Sequence, residues 1–220
     1  MSYKDFKNKS IDHNCNEAFY WLYTKFSTPI GYILAKTPIL PNHVTAFMAL
    51  LGFIGPFFFL STRPLYLWIG IAIILFAKTL DMVDGQLARY KQIFSKKGYF
   101  LDWVGSHGME ILIIATITLG TYQKHPWLIY FGIACLFGYA MKELLVLRSI
   151  LIFDRKEELK IVRKKLTFKR LIRKAILLEY FIEILPILVL IGHLEYYIIL
   201  YGIEYNLLWI AKVIKEWKSN

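Results

Sequence analysis

Cysteine is scarce in this sequence: there are two in 220 residues, Cys15 in a polar stretch and Cys135 inside an apolar run. Two such thiols support neither a disulfide framework nor a cysteine metal site, and both read as unpaired. Charge is also sparse, at 20% of the chain against 57% hydrophobic residues. The apolar share exceeds the roughly 45–50% of soluble domains, so a membrane protein is the first expectation. The N-terminal stretch MSYKDFKNKSIDHNCNEAF lacks the apolar core of a signal peptide; no cleaved targeting segment is expected, and insertion should start at an internal helix. No internal repeat and no low-complexity tract is present. Acidic residues are outnumbered by basic ones, for a net charge of +11. In a membrane chain the placement of Lys and Arg in loops accounts for such an excess, so nucleic acid is not an expected partner.

What is abundant is apolar sequence in runs long enough to span a bilayer, about 20 residues each. Six occur, at about 44–62, 64–86, 99–121, 126–147, 175–192 and 196–212. The expected fold is therefore an all-α integral membrane protein with six transmembrane helices. Residues 12–36 mix Phe19, Tyr20, Trp21, Leu22, Phe26 and Ile30 with Lys25 and Lys36, the pattern of an N-terminal interfacial helix. Residues 1–43 read as an N-terminal cytoplasmic juxtamembrane segment and 44–220 as the membrane domain.

Basic residues alternate between the connectors. One set holds Arg89, Lys91, Lys96, Lys97 and the stretch from Arg155 to Lys174; the other holds little more than Arg63 and Lys124. Because basic loops resist translocation, both termini and the 87–98 loop are expected in the cytoplasm, with a cell membrane as the location. The 155–174 stretch also spaces Leu159, Ile161, Val162, Leu166, Leu171 and Ile172 among its charges. It serves as a topology determinant or as an amphipathic helix on anionic lipid.

Acidic residues at a membrane surface carry the chemistry. Charged side chains in membrane helices are costly and mark cavities, partners or substrate paths. The segment LDMVDGQLARYKQIFSKKGYFLDWVGSHGME brings Asp81, Asp84 and Asp102 to the cytoplasmic edge. Asp81 and Asp84, three residues apart, share a helix face. Carboxylates converging without His or Cys favour a hard ion such as Mg²⁺ or Mn²⁺. Gly85 and Ala88, one turn apart, leave the adjacent helix surface bare for a phosphorylated ligand, and Arg89 offers a cation to its phosphates. The residues thus describe a metal and diphosphate site, where two ions stabilise the attacking and leaving oxygens.

This segment resembles the signature of the CDP-alcohol phosphotransferase family, D-x2-D-G-x2-A-R-x8-G-x3-D-x3-D. The chain matches it at Asp81, Asp84, Gly85, Ala88, Arg89, Gly98 and Asp102 with every spacing kept. The six helices, the interfacial helix and the Pro41-Asn42-x-x-Thr45 step before the first span are similar to that family as well. The resemblance implies a nucleotide pocket formed by Asp84, Gly85, Ala88, Arg89 and Gly98, and a two-metal centre on Asp81, Asp84 and Asp102. It implies attack by an acceptor alcohol on a CDP-linked donor, CDP-diacylglycerol or a CDP-alcohol, with release of CMP in phospholipid biosynthesis. A homodimer embedded in membrane lipids is a further implication.

At the eighth position of the signature, where the family has the aspartate thought to act as base, this chain has Ser106. A serine hydroxyl touches a metal but does not accept a proton near neutral pH. His107, with Glu110 three residues on, is a candidate substitute. At about 100° per residue, however, it stands about 140° around the helix from Asp102, against about 40° for Ser106, and reaches the site only if the helix start is distorted. Gly105 and Gly108 would permit that distortion. His43 is a second candidate, and an acceptor activated by metal alone is a third. Lys142 and Arg148 are candidate substrate-binding cations, and Glu179, Glu183, Glu204 and Asn206 either line an acceptor cavity or pair between helices. Trp103, Trp127, Trp209 and Trp217 suit an aromatic belt. Two functional readings follow: an active transferase, or a relative that binds donor and metal as a scaffold subunit. A transporter fits less well, because the acids cluster at one surface and not at the midplane.

Overall fold

Prolines open two of the long helices, as expected where the missing N–H would have no intrahelical partner. In the computed structural model, which describes residues 2–12, 19–153 and 182–218, Pro41 heads α3 (Pro41–Ile54) and Pro64 heads α4 (Pro64–Lys91). They are preceded by α1 (Tyr3–Ser10) and α2 (Tyr20–Ala35) and followed by α5 (Lys96–Tyr122), α6 (Leu128–Phe153), α7 (Leu185–Leu190) and α8 (Glu195–Lys218). A 3₁₀ turn, Gly55–Leu60, extends α3. Among the described residues there is no strand.

Five helical stretches are long and apolar enough to cross a membrane: Pro41–Leu60, Pro64–Lys91, Lys96–Tyr122, Leu128–Leu145 and Glu195–Trp217. They correspond to five of the six expected spans. Of the remaining one, residues 175–181 lie outside the described residues, as does the basic 155–174 stretch, and the described part carries the short α7. α4 and α5 run further than the apolar runs that announce them, because the charged signature residues remain helical. Threonines inside the spans turn their hydroxyls back onto their own helix, Thr79 to Leu75 O at 2.8 Å and Thr118 to Ile114 O at 2.7 Å. Such bonds satisfy a polar group where water is absent.

The chain divides into two compact units. One comprises the described residues of Met1–Phe58 and Leu65–Leu112, the other those of Phe59–Pro64 and Ile113–Asn220. In the first, the expected interfacial helix is α2, and α1 precedes it. Phe6 of α1 is fully buried against the rings of Tyr32 and Tyr90, at 6.1 and 5.0 Å. A Cβ at Gly31 would come within 2.9 Å of that ring. α3 and α5 approach closely through small residues: a Cβ at Gly105 would meet Ala49 Cβ at 2.9 Å, and one at Gly108 would meet Phe53 Cε1 at 2.5 Å. Small residues let helix backbones approach where no water drives association. These two glycines therefore serve packing against α3, and α5 continues through them as regular helix instead of distorting.

In the second unit α6 packs on α8. Asn206 holds them together, its Nδ2 donating to Ala134 O at 2.8 Å and to Gly202 O at 2.7 Å while Oδ1 accepts from Trp209 Nε1 at 3.0 Å. The rings of Tyr197, Tyr201 and Tyr205 follow one another along α8, and Tyr139 of α6 meets Tyr205 at 5.5 Å.

Candidate active site

The site lies where α4 ends and α5 begins. α4 stops at Lys91 because Gln92 takes a left-handed conformation, φ 56°, and Ile93 N–H bonds back to Ala88 O at 3.1 Å. This is a Schellman-type C-cap. Gln92 Nε2 also donates to Arg89 O at 2.5 Å, so its side chain satisfies a carbonyl that the helix end leaves open. Ser95 then caps α5: its hydroxyl accepts from Gly98 N–H at 2.9 Å and exchanges bonds with the Asn42 amide at 3.0 and 3.2 Å. A Cβ at Gly98 would lie 2.3 Å from Asn42 Oδ1. Gly98 thus lets the first turn of α5 close on the start of α3.

A cavity of about 770 Å³ opens between these elements, within the range of small-molecule sites. Asp84, Gly85, Ala88 and Arg89 of α4 line it, with Lys96, Gly98, Tyr99 and Asp102 of α5, Pro41, Asn42 and Thr45 of α3, and residues 93–95 of the connector. Six of the residues singled out from the sequence, Asp84, Gly85, Ala88, Arg89, Gly98 and Asp102, therefore face one space.

The carboxylates are held from several sides. Asp84, only 9% exposed, accepts from the Thr45 hydroxyl at 2.6 Å. Pro41 O lies 3.1 Å from the same hydroxyl, which has one proton, and the carboxyl oxygen makes the shorter contact. Asp81 Oδ2 stands 3.2 Å from Lys78 Nζ. The Asp102 carboxyl lies beside Asp81 and Ser106 and near Asp84. Two carboxyl groups that meet in this way require a proton or a cation between them. Asp102 Oδ1 is buried with no hydrogen-bond partner. Among the described residues no three acidic, His or Cys side chains yet stand around one point, since Lys78 and Thr45 each engage one of them. The donor set, all hard oxygen with one buried atom unsatisfied, fits a divalent cation in kind.

Removing the Thr45 hydroxyl tests how far this network positions Asp84. Thr45→Val keeps the shape and deletes a charge-assisted bond, a class that contributes about 1.5–3 kcal/mol. Mn²⁺ affinity is expected to fall about tenfold or more, whereas Thr45→Ser should retain it.

The cation for phosphates is equally fixed. Arg89 Nε donates to Ser10 O at 2.6 Å, and its terminal nitrogens lie over Gly85, 3.3 and 3.5 Å from where a Cβ would stand. One edge of the guanidinium is thus anchored on the end of α1, and Gly85 makes room for the other. Lys91, by contrast, is turned to the α2–α3 connector, donating to Thr37 O and Ile39 O at 2.9 and 2.8 Å.

Other sequence candidates are placed elsewhere. The His107 ring lies against Trp103, 4.6 Å between centroids, and does not line the cavity, because α5 is undistorted there. His43 is exposed at the N-terminus of α3, where Nδ1 accepts from Leu40 N–H at 3.4 Å. Lys142 belongs to the second unit, paired with Glu143 at 3.1 Å and set over the rings of Tyr139 and Tyr205. Arg148 lies on α6 with its side chain outside the described residues, as Glu179 is altogether.

Sequence reading missed four features. The Thr45 hydroxyl on Asp84 and the Asn42–Ser95 clamp sit in the Pro41-Asn42-x-x-Thr45 step, noticed as a pattern and given no role. Lys78 was legible as the one charge between Pro64 and Asp81. The Arg89 anchor is a backbone carbonyl, for which no residue type is a signal.

A phosphatidylinositol phosphate synthase from Mycobacterium tuberculosis, whose crystal structure has CDP-DAG bound, has a similar fold, with a TM-score of 0.60 at 16% identity over 88% of this chain and 94% of that one. No curated protein matches the sequence. The family model described as CDP-alcohol phosphatidyltransferase matches residues 38–214, a stretch that contains α3 to α5 and every side chain lining the cavity. A match over most of the length, including the residues that build the cavity, makes this chain a member of the CDP-alcohol phosphatidyltransferase family.

Proposed function

We propose that the protein transfers a phospho-alcohol or phosphatidyl group from a CDP-linked donor to an acceptor hydroxyl and releases CMP, as a step of phospholipid biosynthesis. The observation that carries this reading is a single cavity walled by Asp84 and Asp102, an anchored Arg89 and the bare surface of Gly85 and Ala88. CDP-diacylglycerol is the donor class favoured, in keeping with the ligand of the mycobacterial neighbour. Membrane lipids surround the protein, both termini lie in the cytoplasm of a cell membrane, and it works as a homodimer.

In this mechanism Arg89 receives the donor's diphosphate, and Gly85 and Ala88 let the nucleotide lie against α4. Asp81, Asp84 and Asp102 would hold Mg²⁺ or Mn²⁺. When bound, such an ion stabilises negative charge on the oxygens of the transferring phosphorus. The acceptor oxygen forms a bond to the phosphorus bearing the donor's alcohol or lipid, the bond from that phosphorus to CMP breaks, and CMP leaves with the electron pair. The hydroxyl proton passes to the Asp102 carboxylate, which lines the cavity, with Ser106 beside the same carboxyl group. Ser106 is thus a positioning residue.

The purified chain with CDP-diacylglycerol and a panel of alcohols, analysed by mass spectrometry, should yield one new lipid whose headgroup names the acceptor. His107→Ala should retain at least about a third of that rate, since the ring rests on Trp103. A loss of two orders of magnitude would instead return the proton to the histidine.

A further inference from the structure

Lys78 is the only charged residue in α4 ahead of Asp81. An ammonium in a membrane helix is costly and is kept near a partner or a functional cavity. Its Nζ lies 3.2 Å from Asp81 Oδ2, with both side chains partly buried, and it acts electrostatically on Asp102 as well. It therefore faces the same carboxylates that the transferase reading gives to a metal.

The family signature supplies four carboxylates, enough to neutralise two divalent ions. This chain supplies three, with Ser106 in the fourth position. With the Lys78 ammonium already standing 3.2 Å from Asp81 Oδ2, these three offer a metal less negative charge than four would. Arg89 does not alter that balance, because its guanidinium is anchored on Ser10 O over Gly85, where it meets the charge of the incoming diphosphate. A second divalent ion would face both a missing carboxylate and a resident positive charge a few ångströms away. Like charges at that range are strongly unfavourable in a partly buried site.

We infer that Lys78 takes the place of a second metal ion, so that the site of this chain binds one divalent cation per protomer, with the ammonium on Asp81 as its other positive centre. The inference rests on the transferase reading and specifies the metal content of that site. It assigns Lys78 a positioning role: the ammonium orients Asp81 and limits how much further positive charge the carboxylates accept.

Mn²⁺ titration of the full chain in detergent, with free ion followed by electron paramagnetic resonance, tests this without reference to turnover. Wild type should bind one Mn²⁺ per protomer. Lys78→Met should tighten binding by about tenfold or more, because a repelling charge and a competitor for Asp81 are both gone. Lys78→Arg should stay within about threefold of wild type, since the charge is kept. Lys78→Met combined with Ser106→Asp should bind two ions. Two ions in wild type, weaker binding in Lys78→Met, or a count of one in the double variant would each overturn the inference. If the methionine variants do not fold, the wild-type count decides alone. The absence of any Mn²⁺ binding would instead contradict the transferase reading, so the two failures are distinguishable.

Discussion

Replacing Asp84 by Asn is expected to lower CMP release by about a thousandfold, the scale on which removal of one preorganised electrostatic group acts on a transition state. Asp84 is 9% exposed and receives the Thr45 hydroxyl at 2.6 Å. Its burial and its charge-assisted bond make sense when the negative charge is needed inside the cavity. Asparagine keeps the shape and can still accept from Thr45, so the protein should remain folded and monodisperse while Mn²⁺ binding falls with activity. Loss of folding in Asp84→Asn would assign the carboxylate a structural role. Unchanged activity would remove it from the chemistry.

The second large effect belongs to Gly85. A Cβ there would stand 3.3 Å from Arg89 Nη1, and a leucine would fill the space in which the guanidinium meets a phosphate. CDP-diacylglycerol affinity is expected to fall about a hundredfold in Gly85→Leu, the loss of a charge-assisted contact combined with steric exclusion. Folding should not suffer, since leucine is a better helix former than glycine by about 1 kcal/mol. Binding measured by equilibrium dialysis and stability measured by thermal unfolding should therefore move in opposite directions. A parallel loss of both would mean that Gly85 serves helix packing alone.

The two effects fall on residues that sequence reading singled out, and the reason is physical. Acids and glycines in an apolar chain are rare and costly, so their spacing carries information that a soluble sequence would dilute. Five of the helices were legible for the same reason, as apolar runs long enough to cross a bilayer. What escaped depends on three-dimensional approach. Gly105 and Gly108 look like hinges in a sequence, yet they are the flat surface on which Ala49 and Phe53 pack. His107 looked like a base because histidine titrates in a useful range, but an undistorted α5 turns its ring onto Trp103. α1 was read as part of a polar tail. It is a packed helix because Phe6 fits between Tyr32, Tyr90 and Gly31, and it thereby delivers the carbonyl that fixes Arg89.

Ser106 links these points. Read as a missing aspartate, it suggested an inert relative of the family. Its hydroxyl lies beside the carboxyl group of Asp102, and the proposed site is built instead around three carboxylates, one lysine and a positioning serine.

The most direct measurement is CMP release by the purified wild-type chain in liposomes containing CDP-diacylglycerol and Mn²⁺, with and without the acceptor alcohol found by product analysis. Acceptor-dependent CMP is expected, matched by an equal amount of new lipid and lost in Asp102→Asn. Donor and Mn²⁺ bound normally, with no CMP released for any alcohol, would contradict that expectation and leave a binding subunit in place of an enzyme.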